Sequence, residues 1–514
     1  MNGSENVLVY LEETARRFGE KTALRMYDDR MSFAELVRRS RTAGAAIAAR
    51  RSVAGPIAVL AERSILTPVM FFAALYSGSC YVPLDPAMPE DKLQTILKDL
   101  EPALILASSR EAVKSEALRG SPLLLTLDGI ADDGSDVAVT LSRGGDAPLF
   151  IVYTSGTTGV PKGIVKSHRA EISFVEAYCR TFGFSEGEVI GNQTPFFFDA
   201  SSKDLYLMIR TGATMDIIPQ ELFMAPLELV AYLNEHRITF ISWVPTALVI
   251  VSRLNTFAVA KPTTLRKVFF VGEVMPPPHL EKWRAALPDV LFVNLYGFSE
   301  IAGIACYQEI RDDDLHDSGV LPIGRPLANC RAYLVADGKT VTASGVTGEL
   351  YIESEALATE YFHAPELTRR NFVDYPGADG RPVRCYRTGD LARYDEAGRL
   401  LFVSRDDFQI KHMGVRIELG EIECAAERIA DVQRACCVYR PKRSLLHLFC
   451  EVTPGSRITK RDILEALNRK LSAYMIPGRI DILPALPLNA NGKIDRRLLG
   501  SDSWKELLEG GANQ

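Results

Sequence analysis

Apolar runs and stretches with helical spacing alternate along most of the chain. The segments 57–60 and 104–107 consist only of apolar residues, which is typical of short buried strands. The segment 33–50 has apolar residues three and four positions apart, which predicts an amphipathic helix. Two more apolar runs, 268–272 and 291–296, end in loop-forming residues. This alternation predicts α/β layers, in which ligands bind beyond the carboxyl ends of the strands.

The pattern changes in the second half of the chain. Between about 310 and 405, short strands with Gly and Asp turns are predicted. The segment 408–500 predicts a compact α+β unit, with helices over 419–429 and 460–471 and a strand over 446–452. The change of pattern therefore predicts a separate small domain at the carboxyl end.

Composition excludes several classes of protein. The 514 residues are 47% hydrophobic with a net charge of −6, and a strongly basic domain for nucleic acid is lacking. The nine cysteines form no Cys-x-x-Cys pair, which favours reduced thiols in the cytoplasm over a zinc or disulfide framework. The uncharged run 65–84 is broken by Pro68, Gly78 and Pro83, so we expect a buried helix followed by a buried strand over 81–84 instead of a membrane span. No secretory signal is recognisable at the amino end, and we expect a cytoplasmic protein without membrane contact.

A loop rich in glycine and hydroxyl residues is the strongest single chemical signal. The sequence Tyr-Thr-Ser-Gly-Thr-Thr-Gly-Val-Pro-Lys-Gly at 153–163 follows the apolar run 148–153. Glycines allow backbone N–H groups to approach phosphate oxygens, hydroxyls donate hydrogen bonds, and the lysine supplies positive charge. The spacing differs from that of a Walker loop. The residues expected to bind phosphate are Thr154, Ser155, Gly156, Thr157, Thr158, Gly159 and Lys162.

Four further segments carry side chains that suit a nucleotide. Asn-Leu-Tyr-Gly-Phe-Ser-Glu at 294–300 follows a predicted strand and offers an amide, an aromatic face, a hydroxyl and a carboxylate. The other segments are 386–391, 404–411 and 487–495, which contain Asp390, Arg405, Asp407 and Lys493. Taken alone, each has an ordinary explanation as a turn, a helix cap or a solvated loop. Their order and spacing on one chain distinguish them from chance.

Together these segments resemble the adenylate-forming superfamily, and most closely the amino-acid adenylation domains of nonribosomal peptide synthetases. The matching motifs lie at 31–36, 81–86, 153–163, 348–350, 386–390, 414–423 and 491–493. The resemblance implies an α/β fold with a large N-terminal part, made of two layered α/β subdomains and a small β-barrel-like subdomain, and a small mobile α+β C-terminal domain. The implied boundaries are 1–405 for the large domain, 406–407 for a hinge and 408–505 for the small domain, with a disordered tail over 506–514.

The resemblance also implies a reaction. Such enzymes use ATP and Mg²⁺ to convert a carboxylic acid into an acyl-adenylate and pyrophosphate, and then pass the acyl group to a thiol. The loop at 153–163 would hold the β- and γ-phosphates, Glu300 would be the magnesium-linked carboxylate, and Lys493 would be the catalytic lysine between the attacking carboxylate and the α-phosphate. Asp407 matches the hinge residue about which the small domain rotates. The nucleotide would further contact Asn294, Tyr296, Gly297, Ser299, Asp390 and Arg405.

Asp199 bears on which acid is activated. In the family, this position holds the carboxylate that pairs with the ammonium of an amino acid. The alternative is that Asp199 caps the helix that follows, since aspartate is a good N-cap residue. The resemblance implies a side-chain pocket lined by Phe198, Ala200, Lys203, Ser242, Phe269, Val271, Gly272, Leu295, Gly303 and Ile304.

Lys203 leaves three interpretations open. It lies four residues after Asp199, on the same helical face. It could bind the side-chain carboxylate of aspartate, glutamate or a β-amino dicarboxylic acid, pair with Asp199, or extend along the pocket wall beside a small or apolar substrate. Whether the substrate is an α- or a β-amino acid is also open.

The acceptor thiol is the last open question. Recognisable carrier and condensation segments are absent, which favours a monomeric, stand-alone enzyme whose acceptor, a discrete carrier protein, binds in trans. Coenzyme A is the alternative acceptor, as in an acyl- or aryl-CoA ligase. A catalytically silent nucleotide-binding protein is a further alternative, against which Lys162, Glu300, Asp390 and Lys493 argue.

Overall fold

The computed structural model describes residues 5–131, 144–154, 161–316, 321–405, 409–488, 494–501 and 504. The helices in these residues are α1 Val7–Phe18, α2 Phe33–Arg50, α3 Leu66–Tyr76, α4 Glu90–Leu100, α5 Glu116–Arg119, α6 His168–Phe182, α7 Ser202–Thr211, α8 Pro226–Glu235, α9 Pro245–Arg253, α10 Pro277–Ala286, α11 Asp313–His316, α12 Pro365–Asn371, α13 Leu419–Glu427, α14 Lys460–Lys470 and α15 Arg496–Gly500.

The strands are β1 Thr22–Met26, β2 Asp29–Ser32, β3 Ile57–Leu60, β4 Tyr81–Leu84, β5 Leu104–Ala107, β6 Leu124–Thr126, β7 Pro148–Thr154, β8 Lys162–Ser167, β9 Val189–Asn192, β10 Thr214–Ile217, β11 Phe240–Trp243, β12 Lys267–Val271, β13 Leu291–Tyr296, β14 Cys306–Glu309, β15 Arg325–Pro326, β16 Cys330–Ala336, β17 Lys339–Val341, β18 Thr347–Ser354, β19 Glu360–Tyr361, β20 Phe372–Pro376, β21 Pro382–Tyr394, β22 Leu400–Arg405, β23 Gln409–His412, β24 Val415–Glu418, β25 Val432–Arg440, β26 Leu445–Val452 and β27 Arg479–Leu483.

Contacts divide the chain into two compact units. The first comprises Met1–Pro86, Glu101–Val152 and Gly163–Asp406, and the second comprises Ala87–Leu100, Tyr153–Lys162 and Asp407–Gln514. The second unit therefore contains α4 and the loop after β7 in addition to the carboxyl-terminal part. The boundaries given in the sequence analysis, with a hinge at 406–407, stay a prediction.

The first unit is built around three sheets. A nine-stranded sheet has the order β15-β14-β13-β12-β11-β9-β10-β1-β2, and a seven-stranded sheet has the order β19-β8-β7-β4-β3-β5-β6. A third sheet, β17-β16-β18-β21-β20 with β22 on β21, is antiparallel. The predicted α/β class is confirmed, and the short strands with Gly and Asp turns belong to the third sheet.

The all-apolar segments form strands because both of their faces are buried. β3, β4 and β5 lie side by side in parallel, and Ile57, Val59 and Leu104 are fully or almost fully buried in the main core. The predicted bounds of these strands and of helix α2 agree with the structure. The run 65–84 forms α3 and β4, and among the described residues a helix long and apolar enough to cross a membrane is not found.

The carboxyl-terminal part of the second unit has its own core. The sheet β25-β26-β27 packs with α13 and α14 around Ile422, Ile463 and Leu448, all of which are fully buried. The predicted helix over 419–429 ends earlier, at Glu427, because Arg428 leaves the helix as its cap. The predicted α+β character of this part is confirmed.

Candidate active site

Asp390 is held by two residues that are far from it in sequence. The hydroxyl of Tyr296 donates to Oδ2 of Asp390, and the guanidinium of Arg405 donates to Oδ1. Arg405 reaches Asp390 because β21 and β22 pair in register at these two residues, and its Nη2 also donates to the carbonyl of Thr388 at 3.1 Å. Burial, together with the carboxylate of Asp390, raises the pKa of Tyr296 well above its usual value. The structure thus joins three residues that the sequence analysis assigned separately to a nucleotide.

Glu300, the last residue of the segment 294–300, is a fully buried carboxylate. Its Oε1 accepts a hydrogen bond of 2.6 Å from the hydroxyl of Tyr361. Phe298 stacks on Tyr386 with ring centroids 4.8 Å apart. Because Tyr361 and Tyr386 also lie 3.2 Å apart at their hydroxyl oxygens, the aromatic groups form one wall behind Glu300. The carboxylate is therefore fixed in position by hydrogen bonding and packing.

Asn294, Gly297 and Ser299 complete this segment. The amide of Asn294 donates to the carbonyl of Pro322 at 2.7 Å, which fixes the orientation of the side chain. A Cβ atom on Gly297 would lie 2.7 Å from the carbonyl oxygen of Gly303, so a side chain is excluded there. Ser299 is buried next to Glu300. The segment is a rigid, closely packed turn at the carboxyl end of β13.

The loop at 153–163 lies mostly outside the described residues. Its members Ser155, Gly156, Thr157, Thr158 and Gly159 are outside, and so are Asp407 and Lys493.

The two described members of the loop lie at its ends. Among the described residues, the buried Oγ1 of Thr154 has no hydrogen-bond partner. Nζ of Lys162 lies 3.9 Å from Oε1 of Glu418, a buried residue of the segment 414–423. A buried hydroxyl and a lysine at opposite ends of the loop agree with binding of an anion.

Lys166 is a buried cation that the sequence analysis missed. It lies in β8, is 1% exposed, and donates to the carbonyl of Ile301, the residue after Glu300. Burial lowers the pKa of Lys166, while the negative charges of Asp199, Glu171 and Glu300 act to raise it. The sequence signal was weak: a lysine that directly follows the two apolar residues Ile164 and Val165 in β8.

Glu171 is the second residue that was missed. It lies in the first turn of α6, is fully buried, and neither carboxylate oxygen has a hydrogen-bond partner among the described residues. Burial raises its pKa to about 7, although Lys166 acts to lower it. A buried carboxylate without a partner destabilises a protein, so its presence indicates a functional site.

Asp199 lies at the start of a short 3₁₀ turn, Asp199–Ser201, before α7. Its Oδ1 accepts a hydrogen bond of 2.9 Å from the backbone N–H of the next residue, Ala200. This contact is local and does not cap α7, whose N-cap residue is Ser201, so the capping interpretation is wrong. The carboxylate is only partly buried and also acts electrostatically on Lys166.

Lys203 is paired within the protein. Its Nζ lies 3.2 Å from Oδ1 of Asp204 and donates to the carbonyls of Ala200 at 3.2 Å and Ser242 at 3.3 Å. Oδ2 of Asp204 accepts a hydrogen bond of 3.0 Å from Asn192. Lys203 is 2% exposed and Asp204 is fully buried. The carboxylate that pairs with Lys203 is thus that of the adjacent Asp204, and not that of Asp199.

Four of the other predicted pocket residues lie on adjacent parallel strands. Ser242 of β11 is in register with Phe269 of β12, and Val271 of β12 is in register with Leu295 of β13. The remaining predicted members are Phe198, Ala200, Gly272, Gly303 and Ile304. The structure therefore places the strand residues of the predicted pocket beside one another.

Gly303, another predicted pocket residue, has no room for a side chain. Its φ of +64° favours glycine, and an added Cβ would lie 2.1 Å from the ring of Phe174. Phe174 belongs to α6, one turn after Glu171, and packs on Tyr178 with centroids 5.1 Å apart. Helix α6 therefore contributes both an apolar wall and a carboxylate.

The fold and these groups agree with an enzyme that binds a nucleotide. The sequence model of the AMP-binding enzyme family matches residues 11–362, and that of the AMP-binding enzyme C-terminal domain matches residues 421–493. The chain belongs to the AMP-binding enzyme family, the adenylate-forming superfamily that its motifs indicated.

Curated relatives include peptide synthases. Bacitracin synthase 1 of Bacillus licheniformis is 31% identical over 428 residues, which cover 83% of this chain and 8% of the relative. Bacitracin synthase 3 of the same organism is 31% identical over 437 residues, which cover 85% of this chain and 7% of the relative. The similarity thus concerns one part of much longer proteins.

Solved structures share the fold. A nonribosomal peptide synthetase protein containing adenylation and PCP domains matches with a TM-score of 0.84 at 24% identity, covering 96% of this chain and 84% of that chain. The o-succinylbenzoate CoA synthetase (MenE) of Bacillus subtilis matches with a TM-score of 0.83 at 21% identity, covering 95% and 98%. The fold is therefore common to a peptide synthetase protein and a CoA synthetase.

Proposed function

We propose that the protein activates an amino acid with ATP and Mg²⁺, forms aminoacyl-AMP and pyrophosphate, and then transfers the aminoacyl group to the phosphopantetheine thiol of a separate carrier protein. Family membership supports adenylate formation. The observation that carries the choice of an amino acid is the set of carboxylates around the buried Lys166, namely Asp199, Glu171 and Glu300. With Glu300 assigned to magnesium, Asp199 and Glu171 exceed the one ammonium in charge whenever Glu171 is ionised, and a substrate ammonium would favour that ionised form.

In the proposed first step, a carboxylate oxygen of the amino acid attacks the α-phosphorus of ATP. The bond from that phosphorus to the bridging oxygen of the β-phosphate breaks, and pyrophosphate leaves. The protein contributes by positioning the reactants and by stabilising negative charge. We assign the ribose hydroxyls to Asp390, the adenine to Asn294 and Tyr296 with Gly297 and Ser299, the β- and γ-phosphates to the loop of Thr154 and Lys162, and the α-phosphate to Lys493.

Glu300 suits a magnesium ion that also binds phosphate oxygens. Among the described residues, a group of three or more His, Cys, Asp or Glu that could hold a metal without other ligands is not found. Mg²⁺ commonly uses one or two carboxylates together with phosphates and water, so the single buried Glu300 fits it. The ion would neutralise phosphate charge; Tyr361 keeps the carboxylate in place for it.

A second candidate is an acyl- or aryl-CoA ligase. The fold shared with o-succinylbenzoate CoA synthetase favours it. Such an enzyme would accept an acid without an amine and coenzyme A as the thiol. The charge pattern around Asp199 favours the amino acid.

Amino-acid-dependent exchange of labelled pyrophosphate into ATP tests the proposal. All proteinogenic and common nonproteinogenic amino acids are assayed, each beside the same acid without its amine. We expect exchange with one or a few amino acids and none with their matched acids. Asp199→Asn keeps the local hydrogen bond to Ala200 but removes the charge, and should lower kcat/KM for the preferred amino acid by about a hundredfold. Exchange with fatty or aryl acids alone would overturn the proposal.

Asp390→Asn should raise the KM for ATP by about ten- to a hundredfold, because a hydrogen bond to a charged group contributes roughly 1.5–3 kcal/mol. The change weakens the acceptor for the ribose hydroxyls and leaves Arg405 without its carboxylate. KM is measured for ATP and for the amino acid in the exchange assay. A change in the KM for the amino acid, without a change in the KM for ATP, would contradict the assignment of Asp390.

A further inference from the structure

Lys203 makes two hydrogen bonds and one ion pair inside the protein. Its Nζ donates to the carbonyls of Ala200 at 3.2 Å and Ser242 at 3.3 Å, and it lies 3.2 Å from Oδ1 of Asp204. Both members of the ion pair are almost or fully buried. A substrate carboxylate would have to displace one of these acceptors and leave it buried without a partner.

Asp204 is paired with Lys203 by charge. Its Oδ2 accepts a hydrogen bond from Asn192, and its Oδ1, which has no hydrogen bond among the described residues, lies 3.2 Å from Nζ of Lys203. Burial raises the pKa of Asp204, and Lys203 opposes this effect. A cationic substrate side chain would therefore compete with Lys203 for a carboxylate that is already paired.

The charges near the predicted ligand fall into two groups. The buried ammonium of Lys166 is acted on by Asp199, Glu171 and Glu300; with Glu300 assigned to magnesium, the other two carboxylates leave one negative charge when Glu171 is ionised. On α7, the neighbours Lys203 and Asp204 leave none. The ammonium of one substrate molecule would neutralise the net charge of the first group. The second group has no net charge and therefore favours a substrate side chain without charge.

We propose that the substrate is an amino acid with an uncharged side chain, and that Lys203 and Asp204 form a closed pair that excludes both acidic and basic side chains. This inference rests on the proposed function and specifies its substrate class. The surroundings agree with it, because the strand residues of the predicted pocket, Phe269, Val271 and Leu295, are apolar. A polar contact is available from the buried hydroxyl of Ser242, which also interacts with the hydroxyl of Tyr178.

Breaking the pair from either side should change specificity in opposite directions. Asp204→Asn leaves the ammonium of Lys203 without a carboxylate, so the ratio of kcat/KM for aspartate or glutamate to that for the preferred neutral amino acid should rise at least about tenfold. Lys203→Met leaves the carboxylate of Asp204 unpaired, so the same ratio for lysine or ornithine should rise by a similar factor. A purely structural role of the pair would leave both ratios unchanged.

The double variant Lys203→Met/Asp204→Asn is the matched control. Removing both charges together avoids an unpaired buried charge, so its thermal unfolding temperature should exceed that of Lys203→Met. We expect its order of preference among neutral, acidic and basic amino acids to match that of the wild type, even if its overall kcat/KM is lower. Exchange assays and thermal unfolding are measured on the full chain for all four proteins.

Three outcomes are distinguishable. A wild type that prefers a neutral amino acid, with opposite specificity changes in the single variants, supports the inference. A wild type that prefers aspartate or glutamate and loses this preference in Lys203→Met shows that Lys203 binds the substrate and overturns the inference alone. Folded protein without exchange for any amino acid overturns the proposed function, and the inference with it.

Discussion

Lys493→Ala should lower the rate of amino-acid-dependent pyrophosphate exchange by at least about a hundredfold, while the Kd for ATP changes less than about threefold. Negative charge develops at the α-phosphate as the carboxylate attacks, and a point cation there stabilises the transition state more than the bound nucleotide. The effect should therefore appear in kcat and scarcely in binding. Exchange kinetics and calorimetric titration with ATP measure the two quantities.

Lys114→Ala is the matched control, since Lys114 is an exposed lysine in the first unit. It should leave exchange unchanged. Normal exchange in Lys493→Ala would show that another group stabilises the α-phosphate, and the catalytic assignment of Lys493 would be wrong.

Glu300→Gln should lower kcat/KM by about a hundred- to a thousandfold and raise the concentration of Mg²⁺ needed for half-maximal exchange. Glutamine keeps an oxygen that accepts the hydrogen bond from Tyr361, but it removes the charge that attracts the ion. The protein should remain folded because the hydrogen bond and the packing persist. Exchange is measured over a range of Mg²⁺ concentrations.

Tyr361→Phe distinguishes the effect of the position of the Glu300 carboxylate from the effect of its charge. It removes the hydrogen bond to Glu300 but keeps the carboxylate, so its loss of activity should be roughly tenfold, well below that of Glu300→Gln. If Glu300→Gln kept the Mg²⁺ dependence of the wild type, Glu300 would not be the magnesium-linked carboxylate.

The sequence predicted the bounds of helices and strands best where the apolar pattern is regular and unbroken. β3, β4, β5 and helix α2 have the predicted bounds, because a continuous apolar run or a regular apolar stripe has one favourable environment. Boundaries were less accurate where apolar runs end in mixed residues: the strand predicted over 268–272 is Lys267–Val271. Such ends depend on hydrogen bonds that a single sequence does not reveal.

The predicted nucleotide residues were found through their motifs, but their mutual contacts were not. The pairing of Tyr296 and Arg405 with Asp390 depends on two different sheets, β13 in one and β21–β22 in the other. Sequence spacing carries no information about such contacts, since the residues are brought together only by tertiary structure. Their assigned roles in binding ATP stay predictions.

Charged residues in the core were the main omission. Glu171 occupies the first turn of α6, where a glutamate is ordinary because it interacts favourably with the helix N-terminus. Its burial and its lack of a partner among the described residues are visible only in the structure. Likewise, spacing placed Lys203 on the face of Asp199, whereas the side chain turns to the adjacent Asp204.

The most direct test of the central claim is to identify the product of one reaction. ATP labelled at the α-phosphate is incubated with the amino acid that gives the highest exchange. The proposed function predicts that the label appears in aminoacyl-AMP, detected by mass spectrometry, together with one equivalent of pyrophosphate. Adenylates that form only from acids without an amine, or cleavage of ATP to ADP and phosphate, would contradict it.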